Sequence, residues 1–360
     1  MSKPQIFKYG ELFSGPGGLA LGAMKAKVPG YKIEHAWASD YSEDSCATYG
    51  ANIAQDHTDS IMCADVRNLD FKRLGPIDAF AYGFPCNDFS VVGQRKGFNG
   101  EFGPLYTYGI KILNLYKPKF FVAENVGGLT SANEGKAFEK IITDLSESGN
   151  GYEITANLYH AEKYGVPQTR HRLILVGIDK TLGLRFTVPK PTHEGRYVGA
   201  KEALENPPIL ASAFNNELKK QSAIVVERLK LIKPGENVWT ADLPDHLKLN
   251  VKSARLSQIY KRLHPDKPSY SITGSGGGGT HGYHYAEPRA LTNRERARIQ
   301  TFPDDFRFVG PIESVRKQIG MAVPPLLSEI IFTSILKTFA GIEYNKVEPN
   351  VSIIKQSKII

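Results

Sequence analysis

The run Phe7 to Phe13 breaks into Ser14-Gly15-Pro16-Gly17-Gly18 and resumes as Leu19-Ala20-Leu21-Gly22-Ala23-Met24. A strand that ends on a glycine turn and feeds straight into a helix fits few folds. The same punctuation recurs. Tyr31 to Ser39 reads as a strand ending on Asp40, and Ile77 to Tyr82 as one ending near Pro85-Cys86-Asn87. Phe120 to Ala123 ends at Glu124-Asn125, and Arg172 to Ile178 is a further apolar strand. Leu105 to Tyr116 and Gly135 to Ser148 carry helical spacing in between. Strands alternating with helices predict an α/β fold with a doubly wound, mostly parallel sheet. Ligands bind such sheets beyond the carboxyl ends of the strands. The special residues just named fall at those ends, so the pattern gathers them on one face.

The alternation decays after Phe186. Residues 187–285 are rich in proline, glycine and basic groups, including the run Gly274-Ser275-Gly276-Gly277-Gly278-Gly279, and read as a smaller, loop-rich lobe. Helical patterning returns at Thr292 to Thr301, where Thr292 and Glu295 have the spacing of a capping box, and again at Leu326 to Phe339. The expected division is 1–186, 187–309 and 310–360, the last segment returning to the first domain, with the final ~15 residues frayed.

With 360 residues and 41% hydrophobic content, the chain can build a sizeable core, as one large domain with an insertion or as two unequal lobes. No run approaches the ~20 apolar residues of a membrane span. The N-terminus lacks a signal peptide's apolar region, so a soluble, intracellular protein is expected. Three cysteines, Cys46, Cys63 and Cys86, are too few and too scattered for a disulfide framework, which suits a reducing compartment. Lys plus Arg less Asp plus Glu gives 45 − 37 = +8, compatible with a nucleic-acid partner and equally with a basic protein that has none.

The glycine turn suits any nucleotide-like cofactor, because glycines let backbone amides approach a ligand at a helix N-terminus; it also reads as a plain tight turn. Asp40 stands where a carboxylate would accept from ribose hydroxyls. Cys86, behind a proline on a strand-to-loop transition, is a candidate nucleophile, whereas Cys46 and Cys63 read as small buried hydrophobes. Glu124 offers a carboxylate to the same cleft. In Gln168-Thr169-Arg170-His171-Arg172 the two arginines share one side of an extended segment and could fix a carboxylate, a base oxygen or a phosphate; a solvated edge strand would look the same. The arginines of the 292–301 helix could lie near phosphate. His281 and His284 lack companion ligands, and no metal is expected.

Pro85-Cys86, Glu124-Asn125-Val126, Gln168-x-Arg170-x-Arg172 and Leu291-Thr292-x-Arg294-Glu295-x-Ala297-Arg298 follow one another in order. On those strings, from Phe13 to about Ile331, the chain resembles the bacterial DNA (cytosine-5)-methyltransferases of restriction–modification systems. The resemblance implies a Rossmann-like S-adenosylmethionine-dependent methyltransferase fold with a target-recognition lobe. It implies transfer of a methyl group from S-adenosylmethionine to C5 of a cytosine flipped out of a short duplex site, through addition of Cys86 to C6. Cys86, Glu124, Arg170 and Arg172 would be catalytic. Phe13, Ser14, Gly15, Gly17, Gly18, Asp40, Tyr41, Asp65, Val66, Pro85, Leu105, Met321 and Val323 would bind the cofactor, Phe13 stacking on adenine and Asp65 accepting its exocyclic amine. Ser271, Gly276, Gly277 and Arg289 would meet DNA. The implied partners are double-stranded DNA and a cognate restriction endonuclease without a stable complex. The implied setting is a monomer in the bacterial cytoplasm, on the nucleoid and away from membranes.

Four residues depart from the family pattern. Glu11 stands in place of Asp, Asn87 of Gln, Ser271 of Thr, and Met321 of an Asn whose amide would serve the cofactor site. Three alternatives stay open at this level: a catalytically impaired DNA-binding relative, motivated by Met321, a tRNA cytosine-5 methyltransferase, and a nicotinamide oxidoreductase. The last leaves Cys86, Glu124 and the paired arginines without a role.

Overall fold

A computed structural model describes residues 3–84, 105–250, 256–274 and 279–353. Pro85, Cys86, Gly276 and Gly277 lie outside the described residues. The chain divides into two compact units. The first comprises Met1–His160, His171–Lys190 and Leu327–Ile360, and the second Ala161–Arg170 and Pro191–Leu326.

The first unit opens with β1 (Gln5–Leu12), α1 (Gly18–Lys25), β2 (Tyr31–Asp40), α2 (Glu43–Asn52), β3 (Ile61–Cys63) and β4 (Ala79–Gly83). It continues with α3 (Tyr106–Tyr116), β5 (Phe120–Asn125), α4 (Lys136–Glu147), β6 (Tyr152–His160), β7 (His171–Asp179) and β8 (Val188–Pro189). Seven strands form one sheet in the order β3-β2-β1-β4-β5-β7-β6. The pairs from β3 to β5 are parallel, and β7 runs antiparallel to both of its neighbours. This is the mostly parallel α/β sheet that the alternating pattern predicts. The order reverses between β1 and β4, so the carboxyl ends of those two strands flank the crevice where such folds take ligands.

Each element follows from its pattern. On α4 the buried residues Ala137, Phe138, Ile141, Ile142 and Leu145 recur at helical spacing and form one face against the sheet core. β4 and β5 are continuous apolar runs because both faces are covered, and Phe80, Tyr82, Phe121 and Ala123 are fully buried. Each large apolar side chain so buried contributes about 1.5–3 kcal/mol. Gly22 sits where α1 meets the later helix α9 (Pro325–Ala340); a Cβ there would lie 2.4 Å from Ser328, whose hydroxyl donates to the Leu19 carbonyl.

The second unit holds α5 (Ala200–Glu205), α6 (Ala223–Leu231), α7 (Asn293–Ile299) and α8 (Ile312–Met321) amid long irregular segments. Two apolar clusters anchor it, one around Leu229, Leu247, Tyr260 and Tyr283 and the other around Leu204, Leu263, Ile272 and Ile299. Thr292 and Glu295 cap α7 reciprocally, as the sequence predicts.

Four expectations are corrected. The described residues of the tail are held by the rest of their unit. β9 (Lys346–Val347) pairs with β8, and the Asn350 side chain bonds both backbone groups of Leu158 on the edge strand β6. Cys63 is exposed, while Cys46 is buried. The α7 arginines face inward: Arg294 donates to the carbonyls of Phe214, Pro303 and Phe306, and Arg298 pairs with Asp304. Finally, residues 312–340 do contain a stretch apolar enough for a membrane span by composition, and 72% of that window is buried within the protein.

Candidate active site

The first group of residues collects at strand ends of the first unit. β4 pairs with β5 so that Gly83 lies opposite Glu124, which brings the chain leading into Pro85-Cys86 alongside that carboxylate. Asn125, the next residue, is buried. Its amide donates to the Phe84 carbonyl at 3.1 Å, and its own oxygen accepts from the Val126 N–H. Asn125 thus fixes the last described residue before the cysteine, a job the sequence did not disclose.

Glu124 stands opposite Ile174 across the antiparallel β5–β7 pair. Arg172 is two residues from Ile174, so it projects from the same face and reaches Glu124 diagonally. Its Nε lies 2.8 Å from Oε1 of Glu124, a charge contact rather than an aligned hydrogen bond, and both side chains are largely buried. Screening is weak at such a site, so the pair holds the carboxylate in one orientation. This much is what the sequence places together: Glu124, Arg172 and the approach to Cys86.

The glycine turn caps β1. Phe13 takes a left-handed backbone with φ 55° and packs against the sheet core, and Gly17 adopts φ 94° as the residue preceding α1. Only glycine adopts the latter without cost. No side chain caps α1 and no acidic residue occupies its first turn, so its leading amides lack a side-chain acceptor from the helix start. Asp40, at the end of β2, accepts from Gly15 N–H at 2.8 Å and from Ser42 N–H at 2.9 Å. It therefore braces the turn as well as standing beside it. Ser14 and Gly18 are buried in the turn, Tyr41 is 64% exposed beside Asp40, and Val66 and Leu105 are buried side chains of the same unit.

Asp65 already has a partner. Both its oxygens are engaged by Arg67, the closest contact being 2.6 Å, and this pairing holds the Asp65 carboxyl below the usual carboxylate range. An adenine amine would have to displace Arg67, which is cheap for an exposed pair.

Beneath the turn lies Glu11, 1% exposed among Tyr9 and Tyr49. Burial pushes its carboxyl well above the usual range, against the hydrogen-bonding influence of the two tyrosines; the charge of Asp40 pushes the same way as burial. Burial therefore favours its neutral form.

The remaining sequence candidates belong to the second unit. Arg170 is 2% exposed, and its guanidinium donates to the carbonyls of Ile272, Gly320 and Ala322. These contacts commit much of the guanidinium to backbone. Arg289, expected at DNA, is held between Glu287 and Glu295 by contacts of 2.8–2.9 Å and steadies the N-terminus of α7. Ser271 is half-buried, Val323 is buried, and Met321 is 58% exposed. His284 accepts from the N–H groups of Ala286 and Glu287, a structural use for one of the two histidines.

The comparisons with known proteins agree with one another. The family model of the C-5 cytosine-specific DNA methylases matches residues 7–337. The Type II methyltransferase M.BbvI of Brevibacillus brevis is 58% identical over 349 residues, covering 94% of this chain and 93% of its own length. M.NgoFVII of Neisseria gonorrhoeae, also a Type II methyltransferase, is 42% identical over 368 residues, covering 100% of this chain and 93% of its own. Among solved structures, an Escherichia coli prophage-encoded chain described as a DNA modification methyltransferase superposes with a TM-score of 0.72 at 24% identity, over 92% of this chain and 99% of that one. With its ordered motif strings and a family match over nearly its whole length, the chain belongs to the C-5 cytosine-specific DNA methylases and is a DNA (cytosine-5)-methyltransferase of the restriction–modification type.

Proposed function

We propose that this chain methylates C5 of a cytosine turned out of a short duplex DNA site, with Cys86 as nucleophile and Glu124 and Arg172 as the groups that grip the base. The Glu124–Arg172 pair, one strand away from the approach to Cys86, carries this reading. A stacked base is out of reach of a side chain at the end of a sheet, so the target must leave the helix at a cost of a few kcal/mol. Phosphate contacts that offset this cost make binding fall steeply with salt.

Cytosine C5 is a weak nucleophile. Addition of the Cys86 thiolate to C6 forms an S–C6 bond and pushes electron density to C5. Glu124, carrying a proton, donates it in a hydrogen bond to N3 and so stabilises the charge that builds as sulfur adds, taking it back when sulfur leaves; Arg172 holds both Glu124 and the cytosine O2. After methyl transfer the C5 proton leaves to a base, the S–C6 bond breaks, and the ring recovers its aromaticity with the thiolate restored.

The residues present fit S-adenosylmethionine: a glycine turn with space beside Gly15, uncapped amides at α1 suited to a carboxylate, and Phe13 positioned for an aromatic ring. When bound, it supplies an electrophilic methyl group on a sulfonium centre. Phe13, Asp40, Tyr41, Val66 and Leu105 of the first unit would hold it; the family resemblance assigns Met321 and Val323 to the cofactor as well. Ser271 and the neighbouring glycines would approach DNA. In a cell the modification would shield the site from a cognate restriction endonuclease.

Glu124→Gln is expected to lower kcat by about 10²–10⁴-fold while leaving duplex affinity within a few fold. Near-normal turnover in that variant would remove Glu124 from the mechanism.

A further inference from the structure

Helix α8 ends at Met321, and the carbonyls of a helix's last turn lack partners within the helix. Here they are taken up by two side chains from elsewhere in the second unit. Gln300 Nε2 donates to Ile319 and Ala322 oxygens at 2.9 Å each, and Arg170 Nη2 donates to Gly320 and Ala322 oxygens at 2.8 and 2.9 Å. A cation at a helix C-terminus is doubly favoured, by the hydrogen bonds and by the helix dipole.

The same side chains grip a second segment. Arg170 Nη1 donates to the Ile272 carbonyl at 3.1 Å, and the Ile272 N–H donates to Gln168 Oε1 at 2.8 Å. Gln168 Nε2 in turn donates to Gln300 Oε1 at 2.5 Å. Gln168, Arg170, Ile272 and Gln300 are each 2% exposed or less. The two gripped segments also touch directly. A Cβ on Gly320 would lie 2.0 Å from the Gly274 nitrogen and 2.2 Å from the Thr273 carbonyl carbon, so only glycine permits this backbone approach.

We infer that Gln168, Arg170 and Gln300 are positioning residues that join Ser271–Gly274 and Gly320–Val323 into one body, so that DNA engagement by the first segment and cofactor engagement by the second are energetically coupled. This rests on the proposed reading of Ser271 as DNA-facing and of Met321 and Val323 as cofactor-facing. Either ligand, by fixing the joined body, pre-orders the segment that the other requires. The enhancement must be reciprocal, and a factor of about 5–150 is typical of such coupling. Lysine cannot replace Arg170, because a single ammonium cannot serve three carbonyls in a planar fork.

The test measures S-adenosylhomocysteine affinity by calorimetry with and without linearised unmethylated plasmid DNA, long enough to contain a short site many times over. In the wild type, DNA should tighten binding by at least about 5-fold. In Arg170→Lys and in Gly320→Ala the enhancement should fall to less than 2-fold even where each ligand still binds alone. Hydrogen exchange on the wild type needs no variant: S-adenosylhomocysteine alone should slow the amides of Ile272–Gly274 together with those of Gly320–Val323. Protection confined to one segment, no enhancement in the wild type, or full enhancement in folded variants would each overturn the coupling. A wild-type chain that binds neither ligand would instead overturn the functional reading beneath it.

Discussion

Arg170 and Arg172 stand two residues apart and share one side of an extended segment by sequence period, yet their surroundings differ in kind. Arg172 begins β7 of the sheet unit and meets one carboxylate, Glu124, at 2.8 Å. Arg170 closes the short Ala161–Arg170 stretch of the other unit and donates to three backbone carbonyls. An arginine facing a carboxylate at a strand end is placed to act on a substrate. One committed to carbonyls holds polypeptide together. Residue type and spacing are the same for both; the acceptors decide the role.

The sharpest way to break this comparison is to neutralise each arginine in turn. Arg172→Gln should lower kcat by about 10²-fold, as loss of a preorganised donor does, with a smaller loss of Tm than Arg170→Gln because Glu124 can take up a proton once its partner is gone. Arg170→Gln removes the guanidinium donors to the Ile272 and Gly320 carbonyls and one of the two side-chain donors to Ala322, and should lower folding stability by about 3 kcal/mol. Paired kinetic and thermal measurements would read both. Equal thermal losses in the two variants would erase the distinction.

Glu11 extends the comparison to a buried group on the strand that leads into the glycine turn. Its carboxyl is raised in the folded state relative to about 4.3 in an unfolded chain. Its contribution is therefore fully favourable below that unfolded value and is lost as pH rises toward the folded one. Glu11→Gln keeps the neutral form at all pH values. Its Tm relative to the wild type should rise between pH 4 and pH 8, and a flat difference would show that the carboxyl is not held protonated.

The smallest expected effect concerns Asp65. Arg67→Ala should leave stability within about 0.5 kcal/mol, because the pair is exposed. If Asp65 receives the adenine amine, freeing it should modestly lower KM for S-adenosylmethionine. An unchanged KM would leave Asp65 with no role at the adenine.

Much of the fold was legible in the sequence because parallel strands buried on both faces are continuous apolar runs, and each ended on a residue with unusual chemistry. β6 was missed, since buried polar residues such as Thr155 and Asn157 interrupt its apolar run. α8 was hidden by Glu313, Arg316, Lys317 and Gln318 on a short helix. At the site, Glu124 and Arg172 were legible because both partners are side chains. The employment of Arg170, Arg294 and Asn125 was not, because carbonyl acceptors leave no trace in residue identity. Arg289 was misread for a different reason: its partners Glu287 and Glu295 were visible, but nothing in their spacing told an ion pair from a solvated cluster.

The central claim is that Cys86 attacks cytosine C6 and that C5 must then lose a proton. Duplex DNA in which 5-fluorocytosine replaces cytosine has no such proton. With S-adenosylmethionine present, the wild type should form a covalent protein–DNA adduct that survives denaturation and maps to Cys86, and Cys86→Ala should form none while still binding duplex. A wild-type protein that methylates ordinary DNA yet forms no adduct, or an adduct that persists in Cys86→Ala, would contradict the account.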